Sequence, residues 1–126
     1  MRIKDIMKEV IAVKDNLSIK EAAKLMASKK IGSLVIVSGD DIRGIVTEKD
    51  ITENISSTDK KISSFIKKDV VTVENNEELD RAALLMKKNK INHLPVVNND
   101  GKLVGIISSR DLIENSEDLG DDFLFD

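Results

Sequence analysis

Gly44-Ile45-Val46-Thr47-Glu48-Lys49-Asp50 and Gly105-Ile106-Ile107-Ser108-Ser109-Arg110-Asp111 decide the fold of this chain. Each stretch reads glycine, two β-branched residues, a hydroxyl residue and, three positions later, an aspartate. β-Branched pairs suit a strand. A Ser or Thr followed three residues on by an acidic residue marks a helix N-terminus. Each stretch therefore predicts a strand that runs straight into a helix.

Outward from these stretches the chain repeats itself. Val13–Asp41 aligns with Val73–Gly101, and Ile42–Asn54 with Leu103–Asn115 after one extra turn residue, Lys102; sixteen of the 42 aligned positions are identical. Identity falls at structurally meaningful places: Ala22-Ala23 with Ala82-Ala83, Leu25-Met26 with Leu85-Met86, Gly44 with Gly105, Asp50 with Asp111. This is a duplication, and repeats of this kind are read as recurring structural units.

Both copies predict the order β-α-β-β-α. Val10–Val13 and Val70–Val73 are short β-branched runs. Ile19, Ala22, Ala23 and Met26, matched by Leu79, Ala82, Ala83 and Met86, have the i, i+3, i+4, i+7 spacing of an amphipathic helix, with the methionines as core filling. Ser18 and Glu21 have capping-box spacing at the first of these helices. Leu34–Val37 and Leu94–Val97 read as strands buried on both faces. The turns 38–41 and 98–101 lead to the hairpin strands Ile42–Val46 and Leu103–Ile107. A second short helix starts at Thr47 or Ser108. Residues 55–64, polar and Ser-rich, read as the connection between copies. The expected organisation is a first repeat at 1–57, a second at 58–115 and an acidic tail at 116–126. Half a chain of this size is marginal for a core of its own, so mutual packing is expected.

Composition narrows the function. The chain has 126 residues, no Cys, no Trp, no Tyr, one His and a net charge of −3. Without Cys there is no disulfide framework, thiolate metal site or cysteine nucleophile. No stretch is apolar for the roughly 20 residues that span a bilayer, and no signal peptide is evident, so a cytoplasmic location is expected. Six acidic residues from Glu114 onward leave the rest of the chain at +3. That balance suits a phosphate-bearing ligand but not a nucleic-acid binder, and the dearth of aromatics removes stacking platforms. No Walker loop, dinucleotide fingerprint or nucleophile–base–oxyanion set is present, and a non-enzymatic role is expected with no cofactor required.

The repeated heptapeptides, with Ile6-Met7, the helix Ser18–Lys30 and Leu94-Pro95-Val96-Val97, resemble the CBS domain family, whose members occur as tandem pairs (Bateman modules). The resemblance covers the chain to about Asn115. It implies an α/β (α+β) fold of tandem β-α-β-β-α repeats packed as a pseudo-twofold pair, with clefts between the copies. It implies a regulatory sensor that binds an adenosyl ligand (AMP, ADP, ATP or S-adenosylmethionine) and signals to a regulated protein. A homodimer is also expected from it. The alternative is a ligand-free protein-interaction or dimerisation module.

The candidate ligand-binding residues are Thr47, Lys49, Asp50, His93, Leu94, Pro95, Ser108, Arg110 and Asp111. Gly44 and Gly105 are expected to remove bulk where a ligand approaches the backbone. Thr47 and Ser108 would offer helix N-terminal N–H groups to a phosphate. Asp50 and Asp111 could accept from a ribose diol, or could merely reach back to cap their own helices. Lys49 and Arg110 read equally as phosphate contacts or solvated helix residues. The resemblance implies a basic side chain at His93, and backbone groups near Leu94 and Pro95 facing an adenine; the first copy has Ser33 and Val35 there. Pro95 is expected at an edge or at the start of a strand. Phe123-Leu124-Phe125 in the acidic tail reads either as part of a solubilising tail or as a docking segment.

Overall fold

Residues 1–115 and 117 are described by a computed structural model; the Phe123-Leu124-Phe125 segment lies outside them. In chain order the elements are α1 (Ile3–Ile6), β1 (Ala12–Val13), α2 (Ile19–Lys29), β2 (Ser33–Ser38), β3 (Asp41–Thr47), α3 (Glu48–Glu53), β4 (Val73–Glu74), α4 (Leu79–Asn89), β5 (His93–Val97), β6 (Leu103–Ser108) and α5 (Ser109–Glu114). Two short 3-10 turns, Ile55–Ser57 and Ile62–Phe65, lie between α3 and β4. The chain divides into two compact units. One is Ile11–Val70; the other combines Met1–Val10 with the chain from Val71 onward.

In the unit 11–70, β2 is the central strand, parallel to β1 and antiparallel to β3. Ser33, Leu34, Val35 and Ile36 are all buried, as a strand covered on both faces requires. Ile19, Ala22 and Met26 of α2 pack with Leu34, Ile36 and Val46 to form the core. The Ser18–Glu21 capping box forms, each backbone N–H donating to the other's side-chain oxygen at 3.0 Å. Residues 55–64 are more than a polar tether. Ile62 is fully buried in the core, and the carbonyls of Lys60 and Thr58 accept from the first two N–H groups of α2. Those N–H groups have no partner inside the helix, so the connection finishes the N-terminus of α2.

The second unit repeats the plan, with β5 central between β4 and β6. Leu79, Ala82, Ala83 and Met86 of α4 pack on Leu94, Val96, Ile107 and Leu112, with Ile3 of the N-terminal segment fully buried among them. The edge strands β1 and β4 are shorter than the β-branched runs implied, two residues each. Both α2 and α4 end on a lysine in the left-handed region, Lys30 at φ 56° and Lys90 at φ 55°.

Pro95 corrects an expectation. It is the third residue of β5, paired with Ile106 in the middle strand of its sheet, and neither an edge nor a strand start. It is tolerated because parallel pairing with β4 begins one residue later, at Val73 and Val96. In the first copy that pairing begins a step earlier, at Ala12 and Val35.

Candidate functional site

Thr47 and Ser108 close β3 and β6 and serve as N-caps of α3 and α5. Cross-strand register sets Ser33 opposite Thr47 and His93 opposite Ser108. Each junction thus gathers a strand residue, a hydroxyl, an aspartate one turn on and the intervening cation. In the second copy these are His93, Ser108, Asp111 and Arg110; in the first they are Ser33, Thr47, Asp50 and Lys49.

Both aspartates cap their helices. The Ser108 N–H and hydroxyl donate to Asp111 Oδ2 at 2.8 and 3.1 Å. Thr47 does the same to Asp50 Oδ2 at 2.8 and 3.2 Å. In each case capping uses one oxygen of the carboxylate, so the second can accept elsewhere. Capping and ligand binding therefore need not compete for the same atom. Asp111 is the more enclosed of the two, 6% exposed, whereas Asp50 is half-buried.

Part of the expected row of amides is already engaged. Ser109 N–H donates to Asn92 C=O at 2.9 Å and Asp111 N–H to Ser108 Oγ at 3.3 Å. Glu48 N–H donates to Gly32 C=O at 3.2 Å. With α3 and α5 only six residues long, their dipoles are also small.

The glycines serve a different purpose from the expected one. A Cβ on Gly44 would lie 2.7 Å from the Phe65 carbonyl oxygen, and one on Gly105 would lie 2.6 Å from Met7 Sδ. The space beside them is filled by the chain itself: Ile66 bridges to Gly44, and Lys8 bridges to Ile106. Met7, Phe65 and Ile66 were missed as neighbours of these junctions. The signal that could have found them is apolar residues preceding the first strand of both copies, Ile6-Met7 and Phe65-Ile66.

The remaining candidates divide. Lys49 is exposed and pairs with Glu53 at 3.9 Å along α3. Arg110 is exposed, His93 half-buried, and Leu94 and Pro95 are buried in β5. Two surface cavities in the unit 11–70, about 570 and 590 Å³, lie beside α2 and α3 and beside the β2–β3 turn, and neither is lined by Thr47, Lys49 or Asp50. Among the described residues, no cluster of three or more His, Asp or Glu could hold a metal ion, and no helix is long and apolar enough to cross a membrane.

A family model described as the CBS domain matches residues 3–57 and 62–118. Among solved structures, the CBS domain pair of protein MJ0100, in complex with 5'-methylthioadenosine and S-adenosyl-L-methionine, is 33% identical with a TM-score of 0.84, over 93% of this chain and 96% of that one. A CBS domain protein from Pyrobaculum aerophilum, complexed with AMP, is 26% identical with a TM-score of 0.79, over 89% and 90%. An uncharacterized protein of Methanocaldococcus jannaschii is 35% identical over 108 residues, which are 86% of this chain. The chain spans 36% of that relative's length.

Proposed function

We propose, because this chain belongs to the CBS domain family through two matched segments, that it is a non-enzymatic regulatory module taking an adenosyl ligand at the Ser108–Asp111 junction. The ligand class is AMP, ADP, ATP or S-adenosylmethionine, which share an adenine and a ribose diol. The binding event would pass to a regulated protein, with a homodimer as the working assembly. Support for the ligand class comes from the adenosyl complexes of the two similar structures.

The observation that carries the reading to particular residues is the second junction. Asp111 is buried and caps α5 through Oδ2 alone, while His93 stands across the register from Ser108. In this reading Asp111 Oδ1 accepts from the ribose diol, Ser108 with His93 and Arg110 attracts a phosphate, and backbone near Leu94 and Pro95 meets the base. Charge-assisted hydrogen bonds of this kind are the strong ones. The first junction, with Thr47, Asp50 and a Lys49 already paired to Glu53, is the weaker site for a phosphate. Ligand that binds one arrangement of the protein better than another shifts its population toward that arrangement.

The capping bonds that Asp50 and Asp111 already accept favour one second reading, a ligand-free interaction or dimerisation module. Calorimetric titration of the full chain with AMP, ADP, ATP and S-adenosylmethionine separates the two. At least one ligand is expected to bind, and Asp111→Asn, which keeps a cap acceptor, is expected to weaken it about tenfold or more, equivalent to about 1.4 kcal/mol. No binding by any of the four would defeat the sensor reading and leave the interaction module.

A further inference from the structure

The two copies differ at the end of the sheet that lies away from the junctions. β2 runs from Ser33, opposite Thr47, to Ser38, opposite Asp41, a span of about 16 Å. In the second unit the matching end is closed by backbone bonds. There β4 reaches Glu74, paired with Val97. Asn75 N–H then donates to the Val97 carbonyl at 2.8 Å, and Lys4 N–H donates to the Asn75 carbonyl at 3.0 Å. Lys14, Asp15 and Val37 are the aligned residues of the first unit. Ser63 corresponds to Lys4, because Ile62 N–H donates to Leu17 as Ile3 N–H does to Glu77. In the first unit parallel pairing stops a residue sooner, at Val13 and Ile36. Among the described residues, no backbone bond joins Asp15 to Val37 or to Ser63. A cavity of about 590 Å³ opens at this end of the unit 11–70, a volume typical of small-molecule sites.

Its lining combines apolar surface from Ile36, Val37 and Ile66 with two cations, Lys14 and Arg43, and one carboxylate, Asp15. The three charged side chains are exposed, and among the described residues none of them is in an ion pair. The next charges along the chain are Asp40 and Asp41 in the β2–β3 turn and Lys67, whose N–H donates to the Arg43 carbonyl at 3.0 Å. These add no net positive field, which disfavours a polyphosphate and suits a ligand carrying both signs of charge. We propose that the cavity binds a small zwitterion with an apolar side chain, an aliphatic α-amino acid. Its carboxylate sits between Lys14 and Arg43, its ammonium group meets Asp15, and its side chain lies on Val37 and Ile66. Charge-assisted bonds to a guanidinium and a carboxylate fix the orientation, and the apolar wall favours a branched side chain. The second repeat has Glu74, Asn75 and Val104 at the positions of Lys14, Asp15 and Arg43, so the set belongs to the first repeat alone. The site stands at the opposite end of β2 from the Thr47–Asp50 junction and shares no residue with it.

The test is methyl NMR of the full chain titrated with leucine and with 4-methylpentanoate, the same skeleton without the ammonium group. Leucine is expected to shift the Val37 and Ile66 methyl resonances saturably, and to bind about tenfold tighter than 4-methylpentanoate. Arg43→Gln, at an exposed position, is expected to weaken both ligands about tenfold. Asp15→Asn should weaken leucine alone. Saturating AMP should leave the leucine shifts in place, because the adenosyl junctions lie elsewhere. The absence of a saturable shift with leucine would overturn the proposal, as would equal affinity for the two acids or binding untouched by Arg43→Gln. Displacement of leucine by AMP would overturn the separateness of the site. Saturation of the same resonances by inorganic phosphate alone would replace the amino-acid site with a simple anion site.

Discussion

Val35 donates its backbone N–H to the carbonyl of Ile11 at 3.0 Å, the bond that opens the parallel pairing of β1 with β2. Its counterpart Pro95 has no N–H, and the corresponding pairing in the second copy opens one residue later. The two copies therefore respond differently to the same exchange. Val35→Pro removes a donor at a fully buried position and is expected to cost about 1–3 kcal/mol. Pro95→Val regains a donor, worth about 1 kcal/mol, but loses the proline's restriction of the unfolded chain, about 0.4–1 kcal/mol. It should be close to neutral. Urea unfolding of the two variants checks the asymmetry, and equal losses would contradict this account of the ladder.

Gly44 and Gly105 form a second unequal pair. An added Cβ meets backbone at Gly44, the Phe65 carbonyl, but at Gly105 its nearest contact is the flexible end of Met7. Backbone has little room to shift, whereas a methionine changes rotamer readily. Gly44→Ala is expected to destabilise by about 2–3 kcal/mol, within the range for overpacking, and Gly105→Ala by about 1 kcal/mol. Met7→Ala should partly relieve the second variant and leave the first untouched. A double-mutant cycle in denaturant reads this directly; no coupling between positions 7 and 105 would count against it.

These two pairs mark the limit of what the chain discloses by itself. Period and local chemistry announced the duplication, the α2 and α4 stripes, the Ser18–Glu21 box and the Thr47 and Ser108 caps, because each is a relation among residues a few positions apart. The filling of the gap beside Gly105 depends on Met7, far off in sequence, and no local pattern carries that contact. The same holds for the Met1–Val10 segment, which joins the unit of the second repeat. Glycine before Ser-x-x-Asp looked like ligand space because a missing side chain cannot say what takes its place. Pro95 misled for a related reason: its missing donor is harmless only because pairing with β4 starts after it.

Lys30 and Lys90 end α2 and α4 in the left-handed region, where a side chain costs about 1–2 kcal/mol relative to the right-handed form. Glycine removes that cost but adds backbone entropy to the unfolded chain, about 0.5–1 kcal/mol. Lys30→Gly and Lys90→Gly are each expected to stabilise by about 0.5 kcal/mol, and the double variant by about twice that, since the sites lie in separate units. Thermal melts resolve the change. A loss of stability in either variant would show that the lysine side chain makes a contribution larger than its backbone cost.

Glu21 gives a pH signature. Its carboxyl is held below the ordinary value, first by the bond from the Ser18 backbone N–H, then by Ser18's side chain, with smaller help from Lys61 and Lys24. A carboxylate with a depressed folded pKa stabilises the fold fully above its unfolded pKa, about 4.3. That contribution fades as pH falls through the lower folded value, because protonation then removes the charge from the cap. Wild type is therefore expected to be more stable than Glu21→Gln near neutral pH, with the gap shrinking below about pH 4. The side chain is exposed, and the bonds to Ser18 outweigh the small opposing effect of desolvation. Ser18→Ala should flatten the same pH dependence. A wild-type advantage over Glu21→Gln that stays constant from neutral to acid pH would mean that the ionised capping box does not support α2.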